Sequence, residues 1–282
     1  MKKLIALAVA AASMPAMAAV SISGSTEFSY SDKDAGTTAA MEQTVITVSG
    51  SSEMDNGMTI SASSSMINKD GDIASDNGET SITVSGSFGT LNLGDVAGPL
   101  DSMDGAAIGT AENDKTAGGG DDMAVRYDLP TIVEGLSIKV GFTPSDNDAQ
   151  GGTNGVVEDN SGFGLSYSTM GLSLYYGAEE YANTEVSGYG VAYTTGGLTV
   201  GANASNTDVS GTETEKTGVS AGYKTGNLTL AYNSVETDGA NADEATVSVA
   251  YAMGGGVTVY AASTSADASA SEEDTVGIKF SF

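Results

Sequence analysis

Alternation between apolar and small or polar residues is the dominant pattern along this chain, and helical spacing is nearly absent. In residues 135–142, GLSIKVGF, every second position is apolar, and residues 275–282, TVGIKFSF, show the same pattern. Because successive side chains of a strand point to opposite faces, each run places its apolar groups on one side of a sheet. The pattern therefore predicts an all-β chain.

Sixteen alternating runs follow residue 19, and many are close to the ~9–11 residues that a tilted strand needs to cross a bilayer. The connections after even-numbered runs are mostly short, whereas those after odd-numbered runs are mostly longer, polar and acidic. Antiparallel neighbours joined in this way form an up-and-down meander with its short turns at one end. The predicted spans are 20–31, 41–53, 58–67, 79–88, 90–95, 122–130, 135–143, 160–169, 171–179, 187–195, 198–205, 215–225, 227–235, 244–253, 256–264 and 273–282.

An aromatic residue ends most of the even-numbered runs on their apolar face, just before a short turn. In a meander these side chains form a ring at one level, which is typical of the aromatic girdle of a membrane barrel at the headgroup level. The alternative is that they are ordinary core aromatics of a soluble sheet. The residues are Phe88, Tyr127, Tyr167, Tyr193, Tyr223, Tyr251 and Phe282.

The N-terminal segment has the three parts of a secretory signal peptide. Met1 to Lys3 form a positive region, an apolar core follows, and residues 15–18, PAMA, form a small-residue cleavage site. The apolar core is too short for a membrane-spanning helix. We expect residues 1–18 to be removed and residues 19–282 to form the mature domain.

The charge balance excludes one class of partner. The chain has 10 basic and 37 acidic residues, and loss of Lys2 and Lys3 leaves 8 − 37 = −29. Such a chain repels nucleic-acid phosphates. Most acids fall in the long connections and few in the short turns, so we expect one acidic rim. This rim could bridge to lipopolysaccharide phosphates through divalent cations.

A sheet with an apolar outer face needs lipid or another sheet against it, and closure in a membrane also satisfies every strand edge. We therefore predict a transmembrane antiparallel up-and-down β-barrel of 16 strands, with 14 as the second possibility. Sixteen strands enclose a lumen too wide for side chains to fill, so an aqueous channel remains. The expected inner wall is polar: Ser21, Ser23, Ser85, Ser87, Arg126, Lys139, Ser220, Lys224 and Lys279.

One connection, residues 96–121 after the fifth run, is unlike the others. It combines apolar residues (Val96, Leu100, Met103 and Ile108) with carboxylates, which suggests that it packs against a wall. Asp101 and Asp104, with Asp121 and Asp122, are weak candidates for a calcium site, although solvated acids explain them better. The acids of this segment and its end are Asp101, Asp104, Glu112, Asp114, Asp121 and Asp122.

Two stretches resemble the Gram-negative general diffusion porins of the outer membrane. Residues 125–130, VRYDLP, are similar to the family's sixth strand, and residues 87–101, SFGTLNLGDVAGPLD, to its passage from fourth to fifth strand. The resemblance implies a homotrimer, a long loop folded into the lumen as a constriction, and passive passage of small hydrophilic solutes. It further implies that Arg126 lies on the wall at the constriction and that Phe282 is read by the outer-membrane assembly machinery.

The basic wall that opposes the loop acids in this family is depleted here. Arg126 is the chain's only arginine, and Lys139 is the nearest inward lysine. Because loop carboxylates outnumber these two cations, the sequence predicts a preference for cations.

No catalytic constellation is present. The chain has no histidine and no cysteine, which excludes a Ser-His-Asp triad and a thiolate nucleophile, and we expect no enzyme activity. Two other functions stay open at this point: a secreted acidic calcium-binding or surface-layer β protein, and a non-channel outer-membrane barrel or adhesin.

Overall fold

The protein is described here by a computed structural model that covers residues 19–33, 37–69, 72–73, 80–101, 123–143, 160–181, 183–239, 243–267 and 272–282. These residues form sixteen long strands and a two-residue strand, Asp72–Ile73, that pairs with Asn68 and Lys69. The long strands are β1 Ala19–Lys33, β2 Thr37–Glu53, β3 Thr59–Lys69, β4 Thr80–Gly86, β5 Gly89–Val96, β6 Met123–Asp128, β7 Leu136–Thr143, β8 Asn160–Thr169, β9 Leu172–Tyr181, β10 Thr184–Thr195, β11 Leu198–Val209, β12 Thr212–Thr225, β13 Leu228–Thr237, β14 Glu244–Gly254, β15 Val257–Ala266 and β16 Glu273–Ser281.

The strands close into a single antiparallel barrel. Each long strand pairs with its neighbours in sequence, and β1 pairs with both β2 and β16. The closing ladder runs from Ser25 opposite Ser281 to Lys33 opposite Glu273. The predicted all-β class, the up-and-down order and the count of sixteen are thus confirmed, and the alternative of fourteen strands is wrong.

Among the described residues, no helix is long and apolar enough to span a membrane.

Two connections differ from the prediction. Residues 182–183 join β9 to β10, and Ser210 with Gly211 joins β11 to β12, where the sequence predicted long acidic loops. The strands extend into those segments, so Glu185, Asp208 and Glu213 lie in strands. The backbone ladder continues past the point where apolar alternation stops, and alternation was the signal that defined the predicted ends.

The two faces of the barrel differ in chemistry. Large apolar side chains alternate along each strand and are exposed on the outside, for example Ile22, Val219 and Val247. The opposite face carries hydroxyl groups that bond from strand to strand, such as Ser21 to Ser49 at 2.8 Å and Ser63 to Ser81 at 2.9 Å. A wall of this kind suits hydrocarbon on the outside and water inside.

The strand register shows which aromatic residues share one level. Tyr193 of β10 is opposite Val200 of β11, and Val200 is opposite Ala221 of β12. Tyr223 lies two residues beyond Ala221 on β12. The same two-residue step relates Tyr167 to Tyr193, Tyr223 to Tyr251, and Tyr251 to Phe280. Two residues of offset across two strand spacings correspond to a tilt of about 35°, normal for a barrel. The four tyrosines and Phe280 therefore lie at one level.

The other three predicted aromatics lie off this level. Phe282 lies two residues beyond Phe280, where its backbone N–H and C=O both bond to Gly24 at 2.9 Å. Tyr127 is opposite Val140 of β7, and Val140 is opposite Phe163 of β8. Tyr167 lies four residues beyond Phe163 instead of two, so Tyr127 lies two residues nearer the end of the barrel that carries the long connections. Phe88 belongs to a tight turn, and its carbonyl oxygen accepts the Tyr127 hydroxyl.

A repeated contact joins each of the five strand ends at this aromatic level to the turn of the preceding hairpin. The residue after the aromatic donates its N–H to a turn carbonyl: Lys224 to Gly197 at 2.8 Å and Thr194 to Gly171 at 2.8 Å. Gly197 has φ +87°, and a Cβ there would overlap the Lys224 carbonyl oxygen. At Gly197 both the positive dihedral angle and the close backbone approach disfavour a side chain.

We expect Gly197→Ala to lower the free energy of unfolding by about 1–3 kcal/mol more than Gly196→Ala does. Gly196 lies in the same turn, also has positive φ (+56°), and has open space where a Cβ would be. Urea titration of the barrel in lipid vesicles measures the difference. Equal effects of the two substitutions would show that the close approach to Lys224 does not matter.

Candidate functional site

Arg126 lies on the inner wall, where β6 holds it in a bidentate ion pair. Its Nε donates to Asp128 Oδ1 at 2.9 Å, and its Nη2 donates to Asp128 Oδ2 at 3.3 Å. The two residues are two positions apart on one strand, so their side chains share a face. The fork of a guanidinium matches a carboxylate, and the positive charge of Arg126 is compensated at the wall.

The network of Arg126 continues in two directions. On the wall, Asn92 donates to Asp128 Oδ2 at 3.4 Å and accepts from the Thr83 hydroxyl at 3.0 Å, which joins β4, β5 and β6. Towards the lumen, Arg126 Nη1 donates to the carbonyl oxygen of Ala97 at 2.8 Å. Ala97 follows β5, so the arginine also contacts the start of the long connection.

The start of this connection, residues 97–101, which we call the loop root, packs on the inner wall. Leu100 has no exposed surface and forms a buried cluster with Tyr175 and Val186 of β9 and β10. Its N–H donates to Oε1 of Glu179 at 2.7 Å, and Glu179 is itself only 3% exposed.

Glycines make room for the loop root. Gly141, Gly162 and Gly177 lie on β7, β8 and β9, and a Cβ on any of them would press on Pro99, Leu100, Met123 or Glu179. Gly141 and Gly162 are directly opposite each other in the β7–β8 ladder. The three glycines form a shallow recess in the inner wall, which we call the glycine recess.

Of the remaining predicted constriction residues, the structure describes Lys139 and Asp101. Lys139 is opposite Asp128 in the β6–β7 ladder and therefore lies on the same inner face as Arg126. Asp101 ends the loop root. Asp104, Glu112, Asp114, Asp121 and Asp122 lie outside the described residues, so their place at a constriction, and the inward fold of residues 102–121, stay predictions.

A second charged cluster on the inner wall consists of Lys279, Glu27 and Tyr260, and the sequence predicted only one of these residues. Lys279 Nζ lies 3.4 Å from Oε2 of Glu27, and the Tyr260 hydroxyl donates to Oε1 of Glu27. Lys279 was predicted as a wall residue, but Glu27 and Tyr260 were not. The signal for Glu27 was its position among the serines of β1, on the polar face of the strand.

Asp128 and Glu179 were also missed as site residues. Asp128 is two residues from Arg126 on a predicted strand, and this spacing alone places both on one face. Glu179 lies on the polar face of β9, but only the fold brings it to Leu100, 79 residues away. Among the described residues, no group of three or more carboxylates could hold a metal ion.

Comparisons with known proteins agree with this architecture. A family model described as Gram-negative porin matches residues 5–271. A Rh. blastica porin variant with five substitutions is 18% identical with a TM-score of 0.77, and another with two substitutions is 19% identical with a TM-score of 0.78. Both alignments cover 94% of this chain and 100% of the other.

A third solved structure, described as "Asymmetric conductivity of engineered proteins", is 19% identical with a TM-score of 0.79 over the same shares of both chains. A comparison with curated proteins gave no match. At these identities the solved structures establish the fold, whereas the family model, which spans almost the whole chain, establishes the family.

Proposed function

This chain belongs to the Gram-negative porin family of outer-membrane channels, and we propose that its barrel passes ions and small hydrophilic solutes by passive diffusion, with a preference for cations. The observation that carries the proposal is the closed sixteen-strand barrel with an apolar outer face and a hydroxyl-rich, charged inner face. A barrel of this size leaves a lumen that water fills. Family membership also argues against a secreted calcium-binding or surface-layer protein.

The preference for cations is supported by the pairing of two of the wall cations. Arg126 is paired with Asp128 and Lys279 with Glu27, so neither presents an uncompensated positive charge to the lumen. Each carboxylate about 7 Å from a passing cation in water adds roughly 0.6 kcal/mol of attraction before screening. Under this proposal the acids of residues 101–122 determine the sign of the selectivity.

Further features of the proposal follow from the family. We propose that the protein is a homotrimer, that its acidic rim contacts lipopolysaccharide, and that Phe282 is the residue read by the assembly machinery. In the folded barrel Phe282 follows the closing ladder and exchanges two backbone hydrogen bonds with Gly24, and its ring lies 5.8 Å from that of Phe280. Its side chain is exposed on the outer face.

Reconstitution in planar bilayers tests the channel. We expect stepwise single-channel currents and, in a potassium chloride gradient, a reversal potential of the sign that potassium permeation gives. A barrel that inserts but carries no current would favour a non-channel barrel or adhesin. A reversal potential on the chloride side would leave the channel in place and overturn the selectivity.

A further inference from the structure

The contact between Glu179 and Leu100 holds the loop root against the inner wall of the barrel. It joins the loop root to β9 across a sequence separation of 79 residues, and both partners are buried. Glu179 faces the lumen, whereas its neighbour Glu180 lies on the opposite face of the same strand and is exposed.

A buried carboxylate needs hydrogen-bond donors, because leaving it without them costs several kcal/mol. The N–H of Leu100 supplies a charge-assisted bond of 2.7 Å, of the strong kind. Gly98 lies directly over the same carboxylate, and a Cβ there would overlap Glu179 Oε1. The loop root therefore approaches Glu179 with its backbone, and the geometry at this point is narrowly defined.

The loop root has a second tether of opposite sign. Arg126 Nη1 holds the carbonyl oxygen of Ala97 at 2.8 Å, three residues before Leu100. A cation on β6 thus binds a backbone acceptor and an anion on β9 binds a backbone donor of the same short segment. Between them, Pro99 lies against Gly141 of the glycine recess, with its ring 3.0 Å from where a Cβ would be.

We propose that Glu179 is the positioning residue that fixes the loop root in the glycine recess and thereby determines the open-channel conductance. This inference rests on the proposed channel function for its effect on current. The contact itself does not depend on that function. Loss of the Glu179 acceptor frees the Leu100 N–H, and the segment between the two tethers can then leave the wall.

Three variants of the full chain separate this role from a general effect of charge. Glu179→Ala removes the acceptor, Glu179→Gln keeps an amide oxygen in its place, and Glu180→Ala removes the adjacent outward carboxylate as a matched control. Amide hydrogen exchange at Leu100 is the direct measurement. We expect exchange about tenfold to a hundredfold faster in Glu179→Ala, with a much smaller change in Glu179→Gln and none in Glu180→Ala.

Single-channel recording gives the second readout. Glu179→Ala should show a broader conductance distribution with transitions between levels within one opening, and Glu179→Gln should restore most of the single level. Wild-type exchange at Leu100 in Glu179→Ala, or equal acceleration in Glu180→Ala, would overturn the proposal. If Glu179→Ala does not form a barrel, Gly98→Ala tests the same contact from the loop side and should accelerate the same amide.

The two readouts distinguish the failure of the two proposals. If the wild-type protein carries no current, the channel function fails, yet the exchange rates at Leu100 still test the tether. If the wild-type protein conducts and Glu179→Ala has the wild-type exchange rate and conductance distribution, only the tether fails.

Discussion

Replacing Val219 by arginine is expected to lower the free energy of unfolding of the barrel in a bilayer by about 2–4 kcal/mol. Val219 lies on the outer face of β12 and is 53% exposed in the isolated chain. It is four residues from Tyr223, which at a tilt of about 35° places it roughly 11 Å from the aromatic level. An apolar band ~25 Å tall has its middle near this height. A guanidinium there would have to leave water.

The matched control is Glu213→Arg, on the same strand and the same face but six residues farther from the aromatic level. Glu213 lies beyond the apolar band and is directly opposite Asp208, so an arginine there stays in water and gains an acidic neighbour. We expect a change of about 0–1 kcal/mol. Urea titration in vesicles measures both. Similar costs at the two depths would mean that the outer face of β12 is not in contact with lipid.

The part of the fold that the sequence predicted best is the part that crosses the apolar band. Val219, Ala221 and Tyr223 alternate with small or polar residues because lipid and water lie on opposite sides of the strand. This difference in environment acts on every second side chain, so the sequence alternates with a period of two residues. All sixteen strands were found in this way.

Beyond the band the signal disappears although the strands continue. Glu180 is opposite Glu185, Glu185 is opposite Asp208, and Asp208 is opposite Glu213, so carboxylates face each other across four strands. Directly opposed like charges disfavour pairing, and acidic runs are otherwise typical of loops, so the sequence analysis placed these residues in connections. The backbone ladder holds them in strands because the pairing continues to the strand ends, as far as Tyr181 opposite Thr184 and Val209 opposite Thr212.

The predicted circle of aromatic residues around the barrel shows a different limit of prediction from sequence. The alternation of side chains along the strand placed Phe282 on the correct face, but alternation does not determine the height of a residue in the barrel. The level is determined by the register between strands, which depends on the turns and on the tilt of the barrel. Phe280, which the prediction passed over, is the residue in register with Tyr251.

At the candidate site, local pairs were accessible from the sequence and distant ones were not. Arg126 and Asp128 are two residues apart, and strand geometry alone brings them together. The contact of Glu179 with Leu100 requires that β9 lie across from the loop root in a closed barrel. No periodicity in either segment encodes that proximity.

The ion pair on β6 leads to the second large effect, a change of selectivity with opposite sign in two variants. Asp128→Asn leaves Arg126 uncompensated and should move the permeability ratio towards chloride. Arg126→Gln removes the positive charge paired with Asp128 and should move the ratio towards potassium. A unit charge about 7 Å from a permeating ion changes the cation-to-anion ratio by about two- to sevenfold, depending on screening.

Reversal potentials in a potassium chloride gradient measure both shifts, and the double variant Arg126→Gln with Asp128→Asn is the control. It removes one positive and one negative charge, so its selectivity should stay near that of the wild type. Because the asparagine oxygen can still accept from Arg126 Nε, Asp128→Asn should change charge more than geometry. Shifts of the same sign in both single variants would show that the loop root moves, since Arg126 also holds the Ala97 carbonyl at 2.8 Å. Higher salt should reduce both shifts if they are electrostatic, because the screening length falls from ~10 Å at 0.1 M to ~3 Å at 1 M.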